Sequence, residues 1–175
     1  PKTLNNFEIT NNNPKVGIAP FAKHIGKVYP LDLMQKIIAY LSQNNQVFLF
    51  GFGDELKILE KWKSSYKNVD CPSSNSNFKQ EVELISNLDL MISMDSANGH
   101  IASIYNVPVI TIWGLTHPFT GFSTFNSIEE NQFTVDRTKF PLIPTSIYGN
   151  KKIKGYEDAM RSIDLNGLLF RADQI

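Results

Sequence analysis

Cysteine is almost missing: Cys71 is the only one in 175 residues. One thiol cannot form an internal disulfide or a zinc site, and it suits a reducing compartment. Neither sign of charge is in excess. Lys and Arg total 17, Asp and Glu total 17, and the formal net charge is zero, so no global field draws the chain to nucleic acid. No apolar run approaches the roughly 20 residues that a membrane span needs. The start, "PKTLNNFEITNNNPK", has no apolar core of signal-peptide type and no initiator Met; the expectation is a piece excised from a longer protein. What is present, 42% hydrophobic and 19% charged residues, is a globular composition and not a disordered one. The length suits one domain with a sizeable core.

Residues 1–14 are polar and Asn-rich and read as a linker into a domain spanning 15–175. "KVGIAP" (15–20), "QVFLFG" (46–51), "NVDC" (68–71), "LDLMIS" (88–93), "VPVITIWG" (107–114) and "NQFTVD" (131–136) read as strands. Helical stretches alternate with them. "PLDLMQKIIAYLSQ" (30–43) sets Leu33, Ile37, Ile38 and Leu41 on one face. "DELKILEKWKSSY" (54–66) starts with Asp54 as its cap. Short helices are expected in 73–87 and over "SANGHIASIYN" (96–106), and "GYEDAMRSID" and "LNGLLFRADQI" close the chain as two more. The strands are apolar throughout rather than alternating, as strands covered on both faces are. A three-layer α/β/α domain with a parallel sheet, Rossmann-like, follows. Such folds bind ligands beyond the carboxyl ends of their strands, at a topological switch point.

The strand ends are therefore where chemistry should gather. Lys23, His24, Gly26 and Lys27 follow the first strand, and Gly51, Gly53, Asp54 and Glu55 the second. Asp95, Ser96, Gly99 and His100 follow the fourth, and Gly114, Thr116, His117 and Gly121 the fifth. Lysines, glycines and helix N-termini suit a phosphorylated ligand, and carboxylates suit sugar hydroxyls. Each residue has a plain structural use as well. Asp95 or Ser96 can simply cap the next helix, "GFGDE" can be an ordinary strand-to-helix turn, and Lys23 and Lys27 can be surface lysines. Their convergence on one rim favours the functional reading. Lys151, Lys152 and Lys154 form a basic patch in the tail, which reads as a solvated turn.

The block Asp95-Ser96-Ala97-Asn98-Gly99-His100-Ile101-Ala102, followed by "VPVITIWGLTHP", resembles the carboxyl-terminal, donor-binding half of glycosyltransferase family 9, the lipopolysaccharide heptosyltransferases and their relatives. The family pattern there is roughly D-[ST]-G-x-x-H-[LI]-A, then a strand ending in G-x-T. Lys27-Val28-Tyr29-Pro30 is similar to the family's K-x-W-P loop, and "LFGFGDE" to its second strand and glycine turn. The resemblance covers about 15–125, and the "MDSANGHIAS" variant looks most like members from Bacteroidetes-type bacteria. Two departures stand out: Ala97 replaces the usual glycine, and Tyr29 the usual tryptophan.

The resemblance implies one half of a GT-B glycosyltransferase. Lys27 would contact the donor's phosphates and Glu55 the ribose hydroxyls. Asp95 would hold hydroxyls of the transferred sugar. Ser96, Gly99 and His100 would meet the diphosphate, and Thr116 and Gly121 would line the cleft. It implies a nucleotide-diphosphate sugar as substrate, with ADP-heptose one candidate, and neither a cofactor nor a metal; no D-x-D motif is present. The general base and the lipid-linked or oligosaccharide acceptor would belong to a missing amino-terminal domain, leaving this chain inactive alone. The implied setting is the cytoplasm, with peripheral association at the inner face of the membrane for the full-length protein. Another GT-B enzyme, such as a sugar-nucleotide epimerase, and a non-catalytic nucleotide-binding module remain open alternatives.

Overall fold

The fold is given by a computed structural model that describes residues 13–175. Most of the linker expected over 1–14 lies outside the described residues. Six strands form one sheet: β1 (Lys15–Ala19), β2 (Gln46–Leu49), β3 (Val69–Asp70), β4 (Leu90–Met94), β5 (Val109–Ile112) and β6 (Gln132–Phe133). Their order is β3-β2-β1-β4-β5-β6, and every pairing is parallel. The helices are α1 (Leu31–Leu41), α2 (Glu55–Ser65), α3 (Phe78–Ile85), α4 (Ala97–Ile104) and α5 (Leu165–Ala172). None is long and apolar enough to cross a membrane.

The period-2 alternation of strand side chains builds a core on each face. Val16, Ile18, Val47, Leu49, Leu90, Ile92, Ile110 and Ile112 point to one face and pack with residues of α1, α2 and α5. Ala19, Phe48, Met91 and Val109 point to the other and pack with Leu84 and Ile85 of α3 and Ala102 of α4. Three layers result because neither face could be left to water. Gly17, on β1, packs closely: a Cβ there would lie 2.4 Å from Leu88 Cδ1 and 3.0 Å from Met91 Cε, so these side-chain ends would have to shift.

Three local expectations change. The buried face of α1 is Met34, Ile37, Ile38 and Leu41, and Leu33 is only half-buried. The i, i+3, i+4, i+7 stripe starts one residue later than the sequence reading placed it. Asp54 does not cap α2; its carboxylate is exposed and pairs with Lys57, while Glu55 accepts a hydrogen bond from the Phe52 N–H at 2.8 Å. "GYEDAMRSID" forms only a 3-10 turn over Ala159–Ser162. Ile163 is extended, and Asp164 opens α5 by accepting from the Gly167 N–H, so a good capping residue ends one segment by starting the next.

Leu49→Ala should lower stability by about 2–5 kcal/mol, because the emptied site lies between the sheet and two helices and cannot collapse. A fall in urea midpoint with an unchanged slope checks it. Cys71 is buried, and burial pushes its thiol up. A disulfide-exchange reagent at pH 8 should label it slowly in native protein and at once in urea.

Candidate functional site

The sheet changes direction between β1 and β4: the chain builds outward from β1 through β2 to β3, then crosses to β1's other side. The loops beyond these two neighbours flank one crevice. Lys27 stands in the first, at the end of a 3-10 turn over Ile25–Lys27, and Asp95 in the second, one residue past β4. They meet: Lys27 Nζ lies 2.6 Å from Asp95 Oδ2, with the side chains 12% and 5% exposed. The fully buried Thr116 donates its hydroxyl to the same oxygen at 3.3 Å. Asp95 Oδ1 makes no hydrogen bond to a described residue. Thr116 thus backs Asp95 from below.

Three glycines make this approach possible. A Cβ on Gly114 would sit 2.3 Å from the Gly26 carbonyl oxygen and 2.8 Å from Lys27 Cα. That closeness lets the Leu115 N–H bond Gly26 O at 2.8 Å, pinning the Lys27 loop to the exit of β5. Gly149, with φ +66°, abuts the Lys27 stem and the Thr116 methyl; a Cβ there would lie 3.0 Å from each. The tail is held in place by the Thr145 N–H on Leu115 O at 3.0 Å. Phe122 lies beneath the Lys27 ammonium at 5.9 Å and packs on Tyr148. Gly149, Tyr148 and Phe122 were not picked out by sequence reasoning. A glycine inside the polar run "YGNKK" was the one available signal.

Neither Asp95 nor Ser96 caps α4. Ser96 is at the N-cap position without a side-chain cap bond. The Ser93 hydroxyl donates to Met94 O at 2.7 Å, so it accepts from Ser96, 3.0 Å away. With both polar side chains engaged elsewhere, the first-turn N–H groups of α4 face the crevice uncapped by side chains, an anion-favouring arrangement. Gly99 is buried, and a Cβ on it would meet Ser93 Oγ at 3.2 Å; Ala97, where the family pattern has glycine, is exposed. His100 is half-buried, and its imidazole makes no hydrogen bond to a described residue.

Glu55 lies one strand further out, beyond β2, with one carboxylate oxygen held by the Phe52 N–H and Phe52 itself 88% exposed. Gly121, at φ +89°, closes the 3-10 turn Pro118–Thr120 on the exposed rim. His117 starts that turn, and burial, helped by Arg137, pushes its imidazole below the usual range. Lys23 is exposed and His24 contributes only its carbonyl, which the Lys27 N–H bonds at 2.8 Å. Beside the Lys27 loop a cleft of about 600 Å³ is lined by Gly26, Leu115, Lys152, Lys154 and Arg161, so part of the basic patch read as a solvated turn borders a cavity.

Residues 2–152 match the sequence profile of glycosyltransferase family 9 (heptosyltransferase). No curated protein matches the chain. Among solved structures it superposes on the ADP-heptose lipopolysaccharide heptosyltransferase II of E. coli with a TM-score of 0.70 at 15% identity, covering 95% of this chain and 47% of that one. For the family 9 glycosyl transferase of Veillonella parvula the values are 0.69, 14%, 95% and 47%. For the E. coli heptosyltransferase WaaC with ADP they are 0.62, 12%, 93% and 44%. The chain therefore spans about half the length of these structures. At such identities the structural likeness is one of fold, while the sequence match runs through β1, β4 and the loops that hold Lys27 and Asp95: this chain belongs to glycosyltransferase family 9.

Proposed function

We propose that this chain is the donor-binding domain of an inverting glycosyltransferase, which moves a sugar from a nucleotide-diphosphate sugar to a lipopolysaccharide-type or other glycan acceptor. The observation that carries the reading is the Lys27–Asp95–Thr116 cluster at the switch point, below the uncapped start of α4. A cation and a set of aimed N–H groups suit a diphosphate, and a carboxylate with one unused oxygen suits sugar hydroxyls. Relatives of the same fold support it by what their structures hold: ADP, ADP-2-deoxy-2-fluoro heptose, and ADP-D-beta-D-heptose in the dodecameric iron-containing TibC.

In this reading the sugar–phosphate bond breaks as the acceptor oxygen attacks, and the leaving diphosphate takes the electron pair. Lys27 and the α4 N–H groups stabilise that developing charge from fixed positions. Ser96 and His100 border the phosphates, and Gly99 contributes through its backbone. Thr116 keeps Asp95 aimed at the sugar, Glu55 takes the ribose with its second oxygen, and Gly121 shapes the rim. The acceptor hydroxyl loses its proton to a general base outside this domain, so the chain alone binds donor without transferring it. Peripheral membrane association, if the acceptor is lipid-linked, would also come through the rest of the protein.

Titration of the chain with ADP, UDP and GDP, followed by amide NMR, should move signals at Lys27, Glu55, Asp95 to His100 and Thr116, and the tightest of the three names the base. Lys27→Met should weaken that binding at least tenfold while far-UV circular dichroism stays unchanged. Shifts clustered elsewhere, or an unweakened variant, would show that the site is misplaced.

A further inference from the structure

Resting on the donor-site reading, a second property follows from the contact between Lys27 and Asp95. The lysine that would serve the diphosphate is paired with a carboxylate 2.6 Å away. That carboxylate cannot easily swing aside. Thr116 donates to the oxygen that Lys27 holds, and Gly149 backs the Lys27 stem. A bare diphosphate arriving at Lys27 therefore brings its charge against Asp95, and like charges in a partly desolvated crevice repel. A glycosyl diphosphate carries one negative charge fewer on its distal phosphate. It also presents hydroxyls, which can donate to the unused Asp95 Oδ1.

We propose that Asp95 is a specificity-determining residue that discriminates glycosylated from bare nucleoside diphosphate, favouring donor over product. Transfer reverses the sign of its contribution. When the bond from the sugar carbon to the phosphate oxygen breaks, the diphosphate keeps the electron pair and gains a negative charge. The sugar leaves on the acceptor oxygen, and Asp95 loses its hydrogen-bond donors at the same moment. The carboxylate that helped seat the donor now opposes the product and speeds its release. The selectivity costs binding strength toward diphosphate, since the same Lys27 cannot act as an unopposed cation.

Isothermal titration of the wild-type chain and of Asp95→Asn with ADP, inorganic pyrophosphate and ADP-glucose tests this. The variant should bind ADP and pyrophosphate at least tenfold more tightly than wild type, and its preference for ADP-glucose over ADP should fall by a similar factor. Unchanged or weaker binding of ADP and pyrophosphate by a folded Asp95→Asn overturns the proposal while leaving the donor site standing. Wild-type protein that binds none of these three ligands, nor UDP or GDP, overturns the donor-site reading and the proposal together. Because Asp95→Asn leaves Lys27 unpaired in a nearly buried place, folding of the variant is not assured, and a measurement on wild type stands beside it. On adding pyrophosphate, the Asp95 carboxyl carbon and the Lys27 ammonium should shift together in NMR as their contact loosens. A Lys27 shift with an unmoved Asp95 carboxyl shows that the lysine serves both partners at once, and overturns the proposal.

Discussion

Everything in this domain depends on β1 pairing with β4 rather than with β2 alone. That pairing reverses the direction in which the sheet grows, and it seats two loops distant in sequence over one crevice. Lys27 and Asp95 are 68 positions apart along the chain, yet they belong to adjacent strands. The strand register contributes as well: Ala19 lies opposite Ser93 at the carboxyl edge, so both chains leave the sheet at the same height. The right-handed crossover through α3 puts that helix on the opposite face from α1 and α2, and the two-sided core makes the arrangement stable.

The ion pair itself is a poor source of stability. Two charges removed from water recover their desolvation cost only with good geometry and further hydrogen bonds, and removing one partner of such a pair typically costs about 3–5 kcal/mol. Thr116 supplies the further hydrogen bond here, and Phe122 a favourable ring face. Gly26, Gly114 and Gly149 let three backbone segments approach more closely than any side chain would allow. A cluster held this tightly keeps its charges in fixed positions, which under the proposed donor-site reading is the condition for electrostatic stabilisation without reorganisation. The surface pairs differ: Arg161 forks onto Asp32 with two bonds of 2.9 Å, but both are exposed, and such pairs mostly steer local geometry.

Much of the fold was legible because its signals are local. Apolar runs such as "QVFLFG" and "VPVITIWG" mark doubly covered strands, and the stretches between them show helical spacing. The expected helix caps differ because other partners compete for the polar group. Asp54 and Ser96 look like caps, yet Asp54 pairs with Lys57 and the Ser96 hydroxyl bonds Ser93. Asn77 and Gln80, inside a stretch read only as a polar loop running into a short helix, form a reciprocal capping box at the start of α3. Propensity describes what a residue prefers with its near neighbours and is silent about partners that the fold brings from elsewhere.

The candidate site divides along the same line. Hydrophobic period and short motifs, written in consecutive residues, specify the domain class, the strand ends that Lys27, Glu55, Asp95 and Thr116 follow, and the family. Three-dimensional packing alone sets that Lys27 and not Lys23 reaches Asp95, that Thr116 backs the carboxylate, and that Gly149 of the tail abuts Lys27 and Thr116. Those contacts rest on strand order, register and ångström-scale clearance between backbones. Such quantities are set by the packing of the whole chain and by no stretch of it alone.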